Sequence, residues 1–234
     1  MAQASFVSLA QIPDFSPHDV EVLGTDTHLP AVPLHALSEA SLRDKFARPF
    51  SVSATAFHEP LWSNEPPKPA SVLLGVVMHA QPSVLLTVRT AHLSSHSGQV
   101  ALPGGRKDPQ DADEIATALR EAQEEVGLHP DFVSVLGCLP VYVTGTGYRV
   151  TPVVALLNPA MKLAANPQEV ADVFEVPLAY LMDPANHRRH AVQWRGVTRE
   201  WFSMPYDTEH KQRLIWGATA GILRHFYHFL SAGD

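Results

Sequence analysis

The chain is almost without cysteine: Cys138 is the only one in 234 residues. No internal disulfide can form, and a reducing, cytoplasmic setting is expected. Cys138 itself reads as a small buried hydrophobe. No apolar run approaches the length needed to span a bilayer, so no membrane partner is expected. Met1 to Pro13 holds neither a basic leader nor a sustained apolar stretch, and no secretory signal is expected there. Basic residues are also scarce: 17 Lys and Arg stand against 24 Asp and Glu, a formal charge of −7. That balance excludes general nucleic-acid binding by an exposed basic surface. It leaves room for an anionic small molecule, because a few arginines and a divalent cation reverse the local field. The 13 histidines show no metal-finger spacing and read as surface or satisfied polar residues.

What is present is an ordinary globular balance of apolar residues, able to supply a core. Residues 1–70 differ from the rest. Proline recurs there, at Pro13, Pro17, Pro30, Pro33, Pro49, Pro60, Pro66, Pro67 and Pro69. Each removes a backbone donor and interrupts regular structure. The expected form is an irregular extension with a short helix over Ser38 to Ala47 and a stiff linker at Pro66–Pro69. Such an extension packs on the domain or helps to build a homodimer. From residue 71 to 234 the pattern is that of one domain. Ser71 to His79 and Ser83 to Arg89 are apolar runs broken by Gln81-Pro82, which predicts neighbouring antiparallel strands. Val133 to Leu139 and Val150 to Leu157 are further strand candidates. A closing helix is predicted over about Arg213 to Phe229.

Asp111 to Gly127 is the clearest helix. Asp111 is the expected cap with Glu114 as its capping-box partner. Ile115, Leu119, Ala122 and Val126 form one apolar stripe, and Gly127 is a natural stop. Glu121, Glu124 and Glu125 stand at i, i+3 and i+4, so they share a face. At about 100° per residue that face is turned roughly 130° from the stripe. Three like charges this close repel. A solvated face would interleave lysine or arginine at these spacings. Clustered hard oxygens suit Mg²⁺ or Mn²⁺. Leu102-Pro103-Gly104-Gly105 precedes them, and Gly105 lets backbone approach the same site. Arg120 is placed to orient a glutamate or to hold the loop through a bidentate pair.

This combination resembles the Nudix hydrolase family. Its usual signature is Gly, five residues, Glu, seven residues, then Arg-Glu-apolar-any-Glu-Glu-any-Gly-apolar. Arg120 to Leu128 matches the second half at every fixed position. The first half departs: Gly105 lies one residue farther from Arg120 than usual, and Asp111 and Asp113 stand near the place of the intermediate glutamate. The longer first half is similar to that of the coenzyme A pyrophosphatase branch. So is Leu85-Leu86-Thr87-Val88-Arg89, followed by Gly98 and Pro103-Gly104-Gly105. Thr90, Ser94 and Leu102 differ from that branch's usual residues, and Ser94 replaces an arginine. Gly147 to Pro152, Asn166 to Val170, Val176 to Leu178 and Ile215 to Ala220 also look like the branch.

The resemblance implies an α/β fold, a Nudix-type α/β/α sandwich with a central mixed sheet. It implies Mg²⁺ or Mn²⁺ held by Gly105, Glu121, Glu124 and Glu125, and hydrolysis of a pyrophosphate bond in a small nucleotide substrate. Coenzyme A or its thioesters is the favoured substrate. Glu169 is the candidate base, with Glu121 the runner-up, and Arg120 and Glu124 complete the catalytic set. Arg89 and Arg106 are candidate phosphate contacts, and Tyr148 could stack on adenine. His92 and His96 read as loop residues. Two alternatives stand: another nucleotide as substrate, such as a dinucleotide, nucleotide sugar or triphosphate, and a non-catalytic nucleotide sensor.

Overall fold

A computed structural model describes residues 15–48, 59, 65–90, 98–194, 196–209 and 211–232. The strands are β1 (Gly24–Thr25), β2 (Lys68–Val77), β3 (Ser83–Arg89), β4 (Val100–Ala101), β5 (Gly104–Arg106), β6 (Val133–Cys138), β7 (Tyr142–Val143), β8 (Tyr148–Leu157), β9 (Val170–Pro177), β10 (Arg188–Trp194), β11 (Val197–Asp207) and β12 (Gln212–Trp216). The helices are α1 (Glu39–Ala47), α2 (Glu114–Val126), α3 (Leu178–Leu181) and α4 (Gly217–Ser231).

The main sheet runs β4-β3-β2-β8-β6, with β5 added to β2, β7 to β8 and β9 to β3. Strands β2 and β8 are parallel, in register from Lys68↔Tyr148 to Val77↔Leu157. β2 and β3 are antiparallel, with Val76 opposite Val84. The sheet is therefore mixed. β2 and β8 are covered on both faces, which explains their near-continuous apolar sequences. Alternation sorts the side chains. Leu73, Val77, Val153 and Leu157 pack with Ala118, Ala122 and Val126 of α2. Leu74, Val76, Val154 and Leu156 pack on the other face with Leu223, Phe226 and Tyr227 of α4 and with Leu42 of α1. Helix, sheet and helix form three layers, the expected α/β/α sandwich. A second sheet, β1-β10-β11-β12, is antiparallel throughout.

Helix α1 starts one residue later than predicted, because Ser38 serves as its cap and accepts a hydrogen bond from the Ser41 amide. Gly127 ends α2 in the left-handed region at φ 67°, a conformation open to glycine at little cost. Four readings need correction. Asp113, not Asp111, caps α2, its Oδ1 accepting from the Ala116 amide at 2.7 Å, while Glu114 pairs with Lys107 at 3.5 Å. Strand β2 begins at Lys68, so part of the expected linker is already sheet. Pro69 is tolerated near the strand's first residue, where a missing N–H costs little. Arg213 to Trp216 are strand rather than helix: Ile215 pairs with Met204, and Gly217 at φ 61° turns the chain into α4. Cys138 is exposed, not buried. It is the last residue of β6, beside the acidic start of α2.

The described part of the N-terminal region is tied to this body. Val32, Leu37 and Leu42 are buried in the larger core. Asp26 accepts a hydrogen bond from Arg224 of α4 at 2.6 Å, and β1 pairs with β10.

Candidate active site

Glu121 and Glu125 point from α2 toward the end of β3 and the β5 strand. The apolar stripe docks α2 on β2 and β8, and this fixes which way the acidic face looks. Gly105 is why the fit is close. A Cβ on Gly105 would lie 2.5 Å from the Glu121 carboxyl carbon. The Gly104 amide donates to Glu125 Oε2 at 3.1 Å. The Pro-Gly-Gly turn is thus shaped around two of the three glutamates.

Arg120 organises the cluster from the side. Its Nε and Nη2 grip Asp111 at 2.9 and 3.0 Å, a two-pronged pair. Nη2 also donates to the Arg106 carbonyl at 3.0 Å. Nη1 reaches Glu121 at 3.0 Å and Glu124 at 2.9 Å. The hydrogen bond from Arg120 holds the Asp111 carboxyl well below the usual carboxylate range, and burial only partly opposes it. Asp111 is what sequence reasoning misplaced. The sequence makes it the helix cap and sets it with Asp113 near the intermediate glutamate, while counting six residues on from Gly105 singles out Asp111. That count was the signal that could have found it.

Glu125 is buried, with 4 % of its side chain exposed. Desolvation pushes its pKa up to about 7, with further upward pressure from Glu121 and Glu169 and downward pressure from the Gly104 amide and Arg89. Burial also raises Glu121, and Glu124 and Glu169 add to it. Glu169 is drawn in by its loop. The Asn166 amide bonds to the Glu125 carbonyl at 2.8 Å, and the Thr90 amide to the Glu169 carbonyl at 3.0 Å. Arg89 sits at the end of β3, where pairing with β9 slips between Val88 and Arg89. Its Nη1 stands 3.6 Å from Glu125 Oε1, and its Nε is buried without a hydrogen-bond partner among the described residues.

The donor set suits a hard divalent cation. Carboxylates that raise one another's pKa are relieved by an ion between them. Among the described residues no three His, Cys, Asp or Glu groups already close around one point. Glu124, with 55 % of its side chain exposed, is turned to Arg120. A pair this exposed is worth about 0–1 kcal/mol, so releasing Glu124 toward an ion costs little. The bidentate grip on Asp111 keeps Arg120 in place meanwhile.

A pH dependence follows from Glu125. Its folded pKa of about 7 lies above the 4.5 of a free glutamate. Between those values the folded state holds the proton more tightly than the unfolded chain. Without divalent cation, stability should therefore fall as pH rises from about 5 to 7, by on the order of 3 kcal/mol in all, and then level. Added Mg²⁺ binds the ionised form, so its stabilising effect should grow across the same window. Urea unfolding with and without Mg²⁺ at stepped pH measures both slopes. Equal stability at pH 5 and pH 8 without the ion would contradict the assignment.

The structure brings together Gly105, Arg120, Glu121, Glu124, Glu125, Glu169 and Arg89. It does not bring Arg106 and Tyr148 to the carboxylates. The side chain of Arg106 alternates to the sheet face opposite Gly105 and is exposed. Tyr148 packs against the larger core on that opposite face, and lines a small surface cavity of about 70 Å³ with Lys68 and Thr146. His92, Ser94 and His96 lie outside the described residues.

Comparison with known proteins gives a family match. The NUDIX domain model matches residues 68–213. A relative named "Uncharacterized Nudix hydrolase NudL" in Escherichia coli (strain K12) is 45% identical over 156 residues, covering 66% of this chain and 79% of the relative. The protein of the same name in Shigella boydii serotype 18 matches to the same extent. Among solved structures, a Caenorhabditis elegans (C. elegans) Ap4A hydrolase binary complex is 22% identical with a TM-score of 0.42, covering 50% of this chain and 85% of that one. The Nudix hydrolase RenU of M. smegmatis is 26% identical with a TM-score of 0.41, covering 49% and 73%.

Proposed function

This chain belongs to the Nudix hydrolase family, and from that premise we propose that it hydrolyses the pyrophosphate bond of coenzyme A or its thioesters, releasing 4′-phosphopantetheine and adenosine 3′,5′-bisphosphate. The observation that carries the reading is the meeting of Arg89 with the buried Glu125 in the carboxylate cluster. Arg89 closes the Leu85-Leu86-Thr87-Val88-Arg89 run, the part of the sequence that looks most like the coenzyme A branch, and that run ends at the site.

Glu121, Glu124, Glu125 and the Gly105 carbonyl would hold Mg²⁺ or Mn²⁺, which when bound polarises phosphoryl oxygens and acidifies water. The chain's own residues do the rest. Arg89 has a buried Nε donor unspent and neutralises a substrate phosphate as it enters an acidic site. Arg120 holds Glu121 in place from its anchor on Asp111. Glu169 takes the proton of the attacking water at its carboxylate. It is half-buried, and its charge is felt by both Glu121 and Glu125. Arg106 and Tyr148 share the end of the sheet that Gly105 occupies but face the other way. They would meet the part of the substrate beyond the diphosphate. One cysteine and the intracellular supply of coenzyme A derivatives fit a cytoplasmic enzyme.

Dinucleotides, nucleotide sugars and nucleoside triphosphates contain the same bond. The purified protein, incubated with each of these and with coenzyme A in Mg²⁺ or Mn²⁺, should consume coenzyme A fastest, with both products identified by mass. Faster cleavage of another nucleotide would reassign the substrate. Ligand binding with no cation-dependent turnover on any of them would favour a sensor.

A further inference from the structure

Ser71 lies on β2 directly opposite Gly105 of β5. Its side chain shares a sheet face with Leu73 and Val77, the face that α2 covers. It has no exposed surface, and its hydroxyl has no hydrogen-bond partner among the described residues. A buried hydroxyl left unpaired costs roughly 1–3 kcal/mol. Alanine there would be cheaper: Leu73 and Val77 on that face are apolar, and Thr151 of β8, the polar neighbour, leaves the hydroxyl unpaired. Something therefore offsets the cost of the hydroxyl.

A charged acceptor on that face is the Glu121 carboxylate. It lies against the Cβ position of Gly105, 2.5 Å away. Opposed Cβ positions in an antiparallel pair stand about 4.5–5.5 Å apart. The hydroxyl and the carboxylate therefore flank the same Cβ position, and a turn of either side chain would bring them together. Arg120 engages Glu121 Oε1, which leaves Oε2 as the acceptor.

We propose that Ser71 is a positioning residue whose hydroxyl donates to Glu121 Oε2 and fixes that carboxylate for cation binding. The inference rests on the pyrophosphatase reading above and adds a residue to it. Arg120 then holds Glu121 from the helix side and Ser71 from the sheet side.

The test is S71A, with S71T as the variant that keeps the hydroxyl. With S71A, kcat on coenzyme A should fall about tenfold while KM stays within about twofold. Mn²⁺ affinity, measured by titration calorimetry without substrate, should weaken several-fold. Tm of the cation-free protein should fall by only about 2–4 °C, the loss of one buried hydrogen bond. S71T should recover most of both losses. Unchanged kcat and Mn²⁺ affinity in S71A would overturn the proposal. So would a Tm in S71A lowered well beyond about 4 °C, which would mark Ser71 as packing, or an S71T as impaired as S71A. If the wild-type protein cleaves no pyrophosphate, the functional reading fails, and the Mn²⁺ titration still decides the role of Ser71.

Discussion

Replacing Glu125 by Gln lowers turnover by about a thousandfold while the protein stays folded. The size of the loss comes from the burial of this carboxylate. It receives the Gly104 amide on one oxygen and faces Arg89 on the other. An amide can keep the first contact but brings no charge. Without that charge a divalent cation loses a hard anionic ligand, and Arg89 loses its counter-ion. Stability should not suffer. Near neutral pH the ionised carboxylate is the costly form, since desolvation has already raised its pKa to about 7. Glu125→Gln should thus melt at or above the wild-type temperature without cation and show no added stability with Mg²⁺. Glu124→Gln is the companion variant. Its side chain is exposed and its pair with Arg120 is weak, so its folded state should be indistinguishable by circular dichroism, yet turnover should fall by orders of magnitude. Rates near normal for both variants in saturating Mg²⁺ would remove the carboxylate cluster from the chemistry.

Helix α2 was legible because three local signals agree: a stripe at helical spacing, a terminal glycine and an acidic face set apart from the stripe. Its cap was not legible. Asp111 and Asp113 both satisfy the local rule. The choice is made by Arg120, nine residues beyond Asp111, which pulls that carboxylate away from the helix start. Strands β2, β3 and β8 were readable as apolar runs because they are buried by helices or other strands, and β6 because its half-buried run is mostly apolar. The second sheet was not. β10 opens with Arg188, Arg189 and His190, and β11 contains Pro205. Those residues mask a period-2 pattern. They are held by register, His190 opposite Trp201 and Pro205 opposite Leu214. Arg213 to Trp216 failed for a related reason. Its apolar residues continue into those of α4, and spacing alone does not show that Gly217 divides strand from helix. At the site, types and order of residues were visible from sequence. The directions were not: Arg106 follows Gly105 in the chain and faces the other side of the sheet.

That same pleat aims Gly105 at the carboxylates, and Gly105→Ala should cut kcat by about a hundredfold. The added methyl would come within 2.5 Å of both the carboxyl carbon and Oε2 of Glu121, and 2.6 Å of Oε1. Neither partner can retreat freely. The β5 backbone is paired with β2, Gly105 against Ser71 and Gly104 against Val72. Glu121 is held by Arg120, and Arg120 by Asp111. Relief must come from rotating the Glu121 carboxylate, the group proposed to hold the cation. A misplacement of about 1 Å at a catalytic group costs on the order of a hundredfold. The side chain is long and ends near solvent, so stability should fall far less than rate. Mn²⁺ affinity should weaken in step with kcat, because both read the position of the same carboxylate. Stopped-flow turnover and Mn²⁺ calorimetry on Gly105→Ala check the pair of effects. An alanine enzyme with wild-type rate and affinity would mean that Glu121 does its work elsewhere than against this loop.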